Sequence, residues 1–500
     1  MSSERQSGRR VLAGLVTHPS QTVVLSFLTA VLVGTALLAL PFASAGEGGL
    51  SFLESLFTAT SAVCVTGLIV VDTATELSVW GQLIVLVLIQ AGGLGIMLLS
   101  FFVVFSLRRR VSLQDRVLVS YMLQQRDVST LGASVRRIVV ITVSIEAVGA
   151  LLLFFAMGGA TGPSVGSDGA LGERLFSAVF HAVFHAVSAF CNAGFALFSE
   201  SFTRFLDAPG VNFTVAALII LGGLSFTVLS DLHRVLADGI RALFRGGRRV
   251  GAPEGRGGQW RLERQRQASG RTRARRHRLS VNSRLVLLLS GVLLLLGTAL
   301  IYALEHTRSL ADFPLGTQYL AAFFQAVTLR TAGFNTVSIA ALGLPTLVAL
   351  MAFMFVGGAA GGTAGGIKVN SLGVIGAFLA SRRNRMQQQV RIFRHAIPGA
   401  QVHNAFTVML FGVATVFVGT FLLSITEGQP LEALLFEAVS AFGTVGLSTG
   451  ITGELSPAGR LVITVLMFVG RLGPLTLLAA SLRRERRVAV EYPEADIQVG

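Results

Sequence analysis

The sequence predicts an all-α polytopic membrane protein: eight spans in four tandem repeats of span, pore loop and span, set around a central pore. Three observations predict it. Of the 500 residues, 52% are hydrophobic and only 13% charged, whereas soluble proteins carry about 25% charge. Apolar runs long enough for a bilayer core of about 30 Å recur along the whole chain. A glycine motif returns four times at the same place relative to those runs.

The spans are read at 22–45, 80–106, 135–158, 211–232, 283–304, 345–380, 403–425 and 458–481. The first ends in Ala43-Ser44-Ala45 behind basic residues, the outline of a secretory signal. Its apolar stretch is longer than the roughly 7–15 residues of a signal core, and the repeat needs it, so it is read as a retained span. Loops after the second, fourth and sixth spans, with both termini, hold 34 Arg and Lys368. The other side holds Arg174, Arg204, Arg308, Arg330 and Arg460, while Arg471 falls inside a span. By the positive-inside rule the Arg-rich side and both termini are cytoplasmic, in a multi-pass protein of the cell membrane. The outer side carries fourteen acidic residues, net −9 against its five Arg. Such a surface raises the local cation concentration, although ordinary loop solvation is the plainer reading of charge alone.

The organisation that follows is a cytoplasmic N-terminus (1–21), repeat one (22–106), repeat two (135–232), an Arg-rich linker (233–282), repeat three with a broken second span (283–380), repeat four (403–481) and a cytoplasmic tail (482–500). Between 233 and 284 there are fifteen Arg against Asp238, Glu254 and Glu263, net +12. The centre of this stretch is too polar to fold alone. A solvated loop is its default, with contact to anionic membrane lipids as the functional reading. Nucleic-acid binding is not expected.

The motif reads TSAVCVTGL (60–68), VSAFCNAGF (187–195), AVTLRTAGF (326–334) and VSAFGTVGL (439–447). Aligned on Gly67, Gly194, Gly333 and Gly446, Ser-Ala recurs six and five positions earlier in three copies; the third has Val327-Thr328. Each copy is followed in the next span by a second glycine motif: QAGGLGIM (90–97), LGGLSFTV (221–228), VGGAAGGT (356–363) and VGRLGPLT (469–476).

Irregular backbone inside a membrane is tolerated only where it is buried in protein or lines a water-filled cavity. Four such strands around one axis present rings of carbonyls, which can replace the hydration shell of a monovalent cation. Glycine supplies the backbone dihedrals that turn carbonyls inward. A short helix before each strand aims its negative end at the axis. The candidate ion ligands are therefore the main chains of Cys64, Val65, Thr66 and Gly67; Cys191, Asn192, Ala193 and Gly194; Arg330, Thr331, Ala332 and Gly333; and Gly443, Thr444, Val445 and Gly446. The side chains differ between copies, so backbone does the coordinating. Arg330 is expected to point behind the strand. Cys64 and Cys191, the only cysteines, are expected as buried, unreacted thiols. His181 and His185, at i, i+4 spacing, make half a metal site without further ligands and are read as packing. Glu437 is read as an anchor.

TAGFNT (331–336), SAFGTVGLSTG (440–450) and GGTAGGIK (361–368) resemble the Trk/Ktr/HKT superfamily of potassium transporters, and the resemblance runs over 22–487. The first span starts near residue 22, which is similar to the Ktr-type pore subunit rather than to larger members with two extra spans. The resemblance implies a potassium-channel-like fold and potassium ion as the transported substrate, with filter glycines Gly67, Gly194, Gly333 and Gly446; Gly67 rather than serine implies potassium over sodium. It implies a gate in the broken sixth span: Gly357, Gly358, Gly361, Gly362, Thr363, Gly365, Gly366 and Lys368, with Arg471 projecting beneath the filter. Six glycines within fourteen residues suit a movable plug better than close helix packing. It implies a homodimer seated on a ring of soluble nucleotide-binding regulatory subunits, against a cytoplasmic face that includes 382–394 and the tail.

No covalent cofactor, nucleotide fingerprint or catalytic cluster is found, and the chain is not read as an enzyme. Sodium dependence is left open. Two alternatives stand beside potassium uptake: a sodium-permeable or weakly selective transporter of the same family, and a membrane-embedded lipid-phosphate enzyme.

Overall fold

The computed structural model describes residues 19–46, 48–95, 131–162, 170–245, 279–383, 389–473 and 476–477. Repeat one contains helices α1 (Pro19–Leu38), α2 (Phe52–Cys64) and α3 (Val79–Leu94). Repeat two contains α4 (Leu131–Ala156), α5 (Leu171–Cys191) and α6 (Pro209–Gly223), and α7 (Phe226–Arg245) follows. Repeat three contains α8 (Val281–Glu305), α9 (Leu315–Thr328), α10 (Leu344–Met354) and α11 (Val369–Arg383). A two-residue antiparallel pair, β1 (Arg391–Ile392) and β2 (His395–Ala396), precedes repeat four. That repeat contains α12 (Gly399–Thr426), α13 (Leu431–Gly443) and α14 (Pro457–Leu472).

Local signals start these helices. Ser51 caps α2 and exchanges hydrogen bonds with Glu54 in a capping box. Ser78, Ser280 and Ser456 cap α3, α8 and α14. Two carboxylates at the ends of first spans hold the starts of second spans. Glu305 accepts from Gly343 N at 3.0 Å and from the Thr346 hydroxyl. Glu427 accepts from Ser456 N at 3.1 Å and from its hydroxyl at 2.5 Å. Both acids sit at a positive helix end, where negative charge is stabilised.

In repeats one, two and four the middle helix packs between its two spans; in repeat three α9 packs on α8, and α10 also packs on α8. Each second span also packs on the middle helix of the next repeat: α3 on α5, α6 on α9, α10 on α13 and α14 on α2. The last contact closes the circle. Phe57, Phe184, Phe324 and Phe436, one from each middle helix, are fully buried between these elements. Along α12, Leu410, Val413, Phe417, Phe421 and Ile425 are exposed at three- and four-residue spacing. That continuous apolar face is stable against acyl chains and unstable against water.

Five helices among the described residues are long and apolar enough to cross a membrane, or six if α6 and α7 count as one bent span. The eight expected spans are not all continuous helices. The second spans run 16, 15, 11 and 16 residues and stop at their glycine motifs. The fourth expected span, 211–232, breaks at Leu224, and α7 leaves α6 at 109°. The first part of the expected linker is thus helical. Its centre at 246–278, the expected second-span residues 96–106, the N-terminus to residue 18, the end of the expected eighth span at 478–481 and the tail at 482–500 lie outside the described residues. The second middle helix is also longer than expected, with 21 residues, because the apolar pattern runs back to Leu171.

Candidate functional site

Three middle helices end identically. Val65, Asn192 and Thr444 adopt left-handed dihedrals at the ends of α2, α5 and α13. Their N–H groups donate to Ala62, Ala189 and Ala441 at 3.1 Å each. The next residues, Thr66, Ala193 and Val445, donate to Ser61, Ser188 and Ser440 at 2.8 Å each. These bonds satisfy terminal carbonyls and throw the chain back along the helix axis. The recurring serine closes the turn from the other side. Ser61 Oγ accepts from Gly67 N at 3.0 Å and donates to Leu68 O at 2.8 Å. Ser188 Oγ donates to Phe195 O at 2.8 Å, and Ser440 Oγ accepts from Gly446 N at 3.1 Å. The third copy lacks the serine and turns differently, with Ala332 N donating to Thr328 O at 2.9 Å.

All four strands alternate in backbone hand. φ is 57° at Val65 and 89° at Gly67, 61° at Asn192 and 72° at Gly194, 69° at Thr331 and 78° at Gly333, and 50° at Thr444 and 89° at Gly446. Thr66, Ala193, Ala332 and Val445, which lie between them, have negative φ. Alternation of sign rotates successive peptide planes the same way, so the carbonyls gather on one side.

The four glycines meet. A Cβ built on Gly67 would face the carbonyl of Ala193, and lie 3.0 Å from Gly194 Cα. One on Gly194 would lie 2.8 Å from Ala332 O and 3.0 Å from Gly333 Cα. One on Gly333 would lie 2.7 Å from Val445 O. One on Gly446 would face Thr66 O and lie 3.1 Å from Gly67 Cα. The order is one, two, three, four and back to one. Beyond the glycines opens a cavity of about 680 Å³, lined by all four and by Asp72, Glu200 and Ser448 among others.

On the opposite side sits the break in the third repeat. Between α10 and α11 the chain forms a loop closed by a parallel bridge of Val356 with Ile367. Gly357 N donates to Ile367 O at 2.8 Å, and Val369 N to Gly358 O at 3.0 Å. Thr363 Oγ1 donates to Asn192 Oδ1 at 3.1 Å and to Phe190 O at 3.3 Å. A Cβ on Gly365 would run into the Thr444 side chain, and one on Gly357 would touch Thr331 Cγ2 at 3.4 Å. The loop thus rests on residues two before the glycine in three of the four strands. Its other face lies on the end of α6: Ala359 N donates to Gly223 O at 3.0 Å, Thr363 N to Gly222 O at 3.2 Å, and Phe226 N to Gly361 O at 3.2 Å. Arg471 of α14 donates to the carbonyls of Thr363 and Gly92.

A model of the TrkH family, described as cation transport protein, matches residues 14–243 and 271–486. The chain belongs to the TrkH cation transport family. It is 35% identical over 481 residues to the Ktr system potassium uptake protein B of Vibrio alginolyticus, covering 96% of this chain and 94% of that one. Identity is 33% to the protein of the same description from Bacillus subtilis (strain 168), over 96% and 97% of the two chains. It is 30% to the Potassium/sodium uptake protein NtpJ of Enterococcus hirae, again over 96% and 97%. The crystal structure of the potassium transporter TrkH from Vibrio parahaemolyticus superposes with a TM-score of 0.63 at 20% identity, covering 91% of this chain and 84% of that one. The TrkH family consists of cation transporters, and the chain is not an enzyme.

Within this TrkH-family chain the remaining sequence-predicted residues fall as follows. Cys64, Cys191 and Gly443 are the last residues of their helices, and both thiols are free and buried. Cys191 Sγ donates to Gln90 Oε1 at 3.7 Å, beside a buried Glu146. Arg330 is buried, and Nε and Nη2 have no hydrogen-bond partner among the described residues. Lys368 folds back onto the loop, donating to Ala364 O at 2.6 Å. His185 Nε2 accepts from Leu197 N at 3.1 Å, so the proton is on Nδ1, which donates to His181 O at 2.7 Å. No group of three metal-ligating side chains occurs among the described residues.

Sequence reasoning missed the bend after α6 as a seat for the loop, and the side chain of Asn192 as a contact to it. It registered the Ser-Ala recurrence without a role; the fixed distance to the glycine was the available signal. Gly92, Gly222 and Gly470 were noted only as motif members. Each faces the carbonyl four residues before the strand glycine, on Val63, Phe190 and Phe442, and the close approach has no room for a side chain.

Proposed function

We propose that this chain is a potassium-uptake pore, conducting K⁺ inward through the ring of main-chain carbonyls at Gly67, Gly194, Gly333 and Gly446. One observation carries the reading: the four glycines touch in cyclic order while each strand alternates in hand. That geometry offers stacked rings of carbonyl oxygens to a dehydrated monovalent cation. The potassium-uptake relatives support the choice of ion. The sixteen backbone positions named from the sequence are the filter. The loop at 357–368 is the gate, with Arg471 holding it under the filter by two carbonyls. The repeat boundaries, eight spans and cytoplasmic termini are proposed from hydropathy and the arginine distribution. The larger assembly is two such chains on a ring of soluble nucleotide-binding regulatory subunits, in keeping with the relatives' description as parts of a Ktr system.

Sodium permeation is the second reading, because one relative is described as a potassium/sodium uptake protein. Gly67 in the first strand favours potassium.

Uptake by a potassium-uptake-deficient strain tests the assignment. The chain restores growth at low potassium, and Gly446→Asp at equal membrane abundance does not. Growth restored equally by both would overturn it.

A further inference from the structure

Position two before the strand glycine carries Val65, Asn192, Thr331 and Thr444. Asn192 alone of these makes side-chain hydrogen bonds among the described residues. Its Nδ2 donates to the carbonyl of Arg330, in the third strand, at 3.2 Å. Its Oδ1 accepts from the Thr363 hydroxyl at 3.1 Å. The amide orientation is forced, since a carbonyl can only accept. The group is buried against bare glycine backbone: a Cβ on Gly222 would lie 2.8 Å from Oδ1 and one on Gly223 3.6 Å from Nδ2. A single carboxamide therefore joins three things: a carbonyl of the candidate filter, the candidate gate loop, and the α6 end that the loop lies on. By contrast, the hydroxyls of Thr331 and Thr444 are buried without hydrogen-bond partners among the described residues.

We propose that Asn192 is the latch between gate and filter: its carboxamide oxygen retains Thr363, and its amide holds the Arg330 carbonyl turned toward it. This rests on the reading of the glycine ring as the ion path. Departure of the loop removes the Thr363 bond and leaves the carboxamide free to rotate. The ligand field of the third strand then changes with gate position. Thr363 is also held by Arg471 at its carbonyl, by Gly222 O at its N–H and by Phe190 O at its hydroxyl, so the latch is one of several fastenings on the same residue.

Two substitutions separate the halves. Asn192→Val introduces the residue that the first strand holds in the same left-handed conformation, Val65 at φ 57° against 61° at Asn192, so the conformation has a precedent for this residue in the same fold. Thr363→Val removes the hydroxyl and keeps the shape, the N–H and the carbonyl. Both, the double variant and Gly446→Asp are reconstituted in vesicles, and potassium and sodium fluxes are read per unit of inserted protein. Each single variant raises potassium flux about five-fold, the size of one lost hydrogen bond. The double variant equals Thr363→Val, because that substitution already removes the bond that Asn192→Val breaks, together with the hydroxyl's contact to Phe190 O. Only Asn192→Val also lowers the potassium-to-sodium flux ratio, because it alone frees the Arg330 carbonyl. Unchanged or reduced flux in either single variant overturns the latch, as does a double variant at the product of the singles, about twenty-five-fold. If Gly446→Asp still conducts, the pore reading itself fails; if it stops flux while Asn192→Val behaves as wild type, the latch alone falls.

Discussion

Gly446 turns its bare Cα toward the carbonyl oxygen of Thr66, and this contact joins the last repeat to the first. Gly446 lies in the left-handed region at φ 89°, and Thr66 has negative φ. Two constraints therefore coincide at one atom. A Cβ would meet another strand's backbone, and the dihedral disfavours any L side chain. Backbone cannot rotate away as a side-chain tip can.

The same pair of constraints at Gly67 makes a test with an internal control. Gly67→Ala abolishes potassium-dependent growth, because φ is 89° and the Ala193 carbonyl blocks the new methyl. Gly49→Ala carries similar strain, with φ at 71°, but its nearest neighbours stand 3.7 Å away. It costs roughly 1 kcal/mol of backbone strain and keeps uptake. Loss of function in both would assign the effect to strain rather than to the meeting of strands.

The recurring serines predict a graded effect. Ser440→Ala leaves Gly446 N–H buried without its acceptor, which costs about 1–3 kcal/mol. The fourth strand loosens, and sodium competes better in potassium-uptake assays. Val327→Ala, at the aligned position of the third strand, removes no hydroxyl and leaves selectivity unchanged.

Arg471 predicts a gain. Its guanidinium binds the carbonyls of Thr363 and Gly92, from the loop and from α3. Arg471→Gln removes at least one of these charge-assisted bonds, which are worth about 1.5–3 kcal/mol each. It also removes a positive charge beneath the glycine ring. Both changes favour cation passage, so potassium flux into vesicles rises. A fall at equal protein content would mean that Arg471 props the glycine ring instead.

How much of this was legible in the sequence follows from what each residue does. The ring was legible because glycine at fixed register is a backbone requirement, and backbone requirements leave the same letter in every copy. The break was legible at 357–368, within the gap between Met354 and Val369, for the same reason: six glycines cannot hold a helix. Asn192, Thr363 and Gly222 were not legible as a cluster. They come from two different repeats, and side-chain hydrogen bonds across repeats leave no periodic trace. The bend after α6 was hidden because LGGLSF keeps an apolar pattern through the break, so hydropathy continued where the helix did not. Glu146 was passed over inside an apolar run, although a lone carboxylate in a span is costly and points inward.

Glu437 gives the last prediction. The residue is fully buried in α13. Its carboxylate accepts from the Ser448 hydroxyl, from Thr449 N at 3.3 Å and from the Thr452 hydroxyl at 2.9 Å. It thereby ties the chain beyond Gly446 back to the helix before it, and these partners line the outer cavity. Glu437→Gln preserves shape but turns one acceptor into a donor, which then faces hydroxyls able to reverse their own roles or an N–H that cannot. The hydroxyls adapt, so the variant folds and loses only part of its thermal stability. Glu437→Ala opens a void and strips all three donors of their acceptor, a loss of about 3 kcal/mol or more. Thermal unfolding of the detergent-solubilised protein ranks wild type above Gln above Ala. Potassium uptake at low external potassium falls in the same order, because the outer ends of the fourth strand and the cavity wall move together. An alanine variant as stable as wild type would show that the carboxylate anchors nothing.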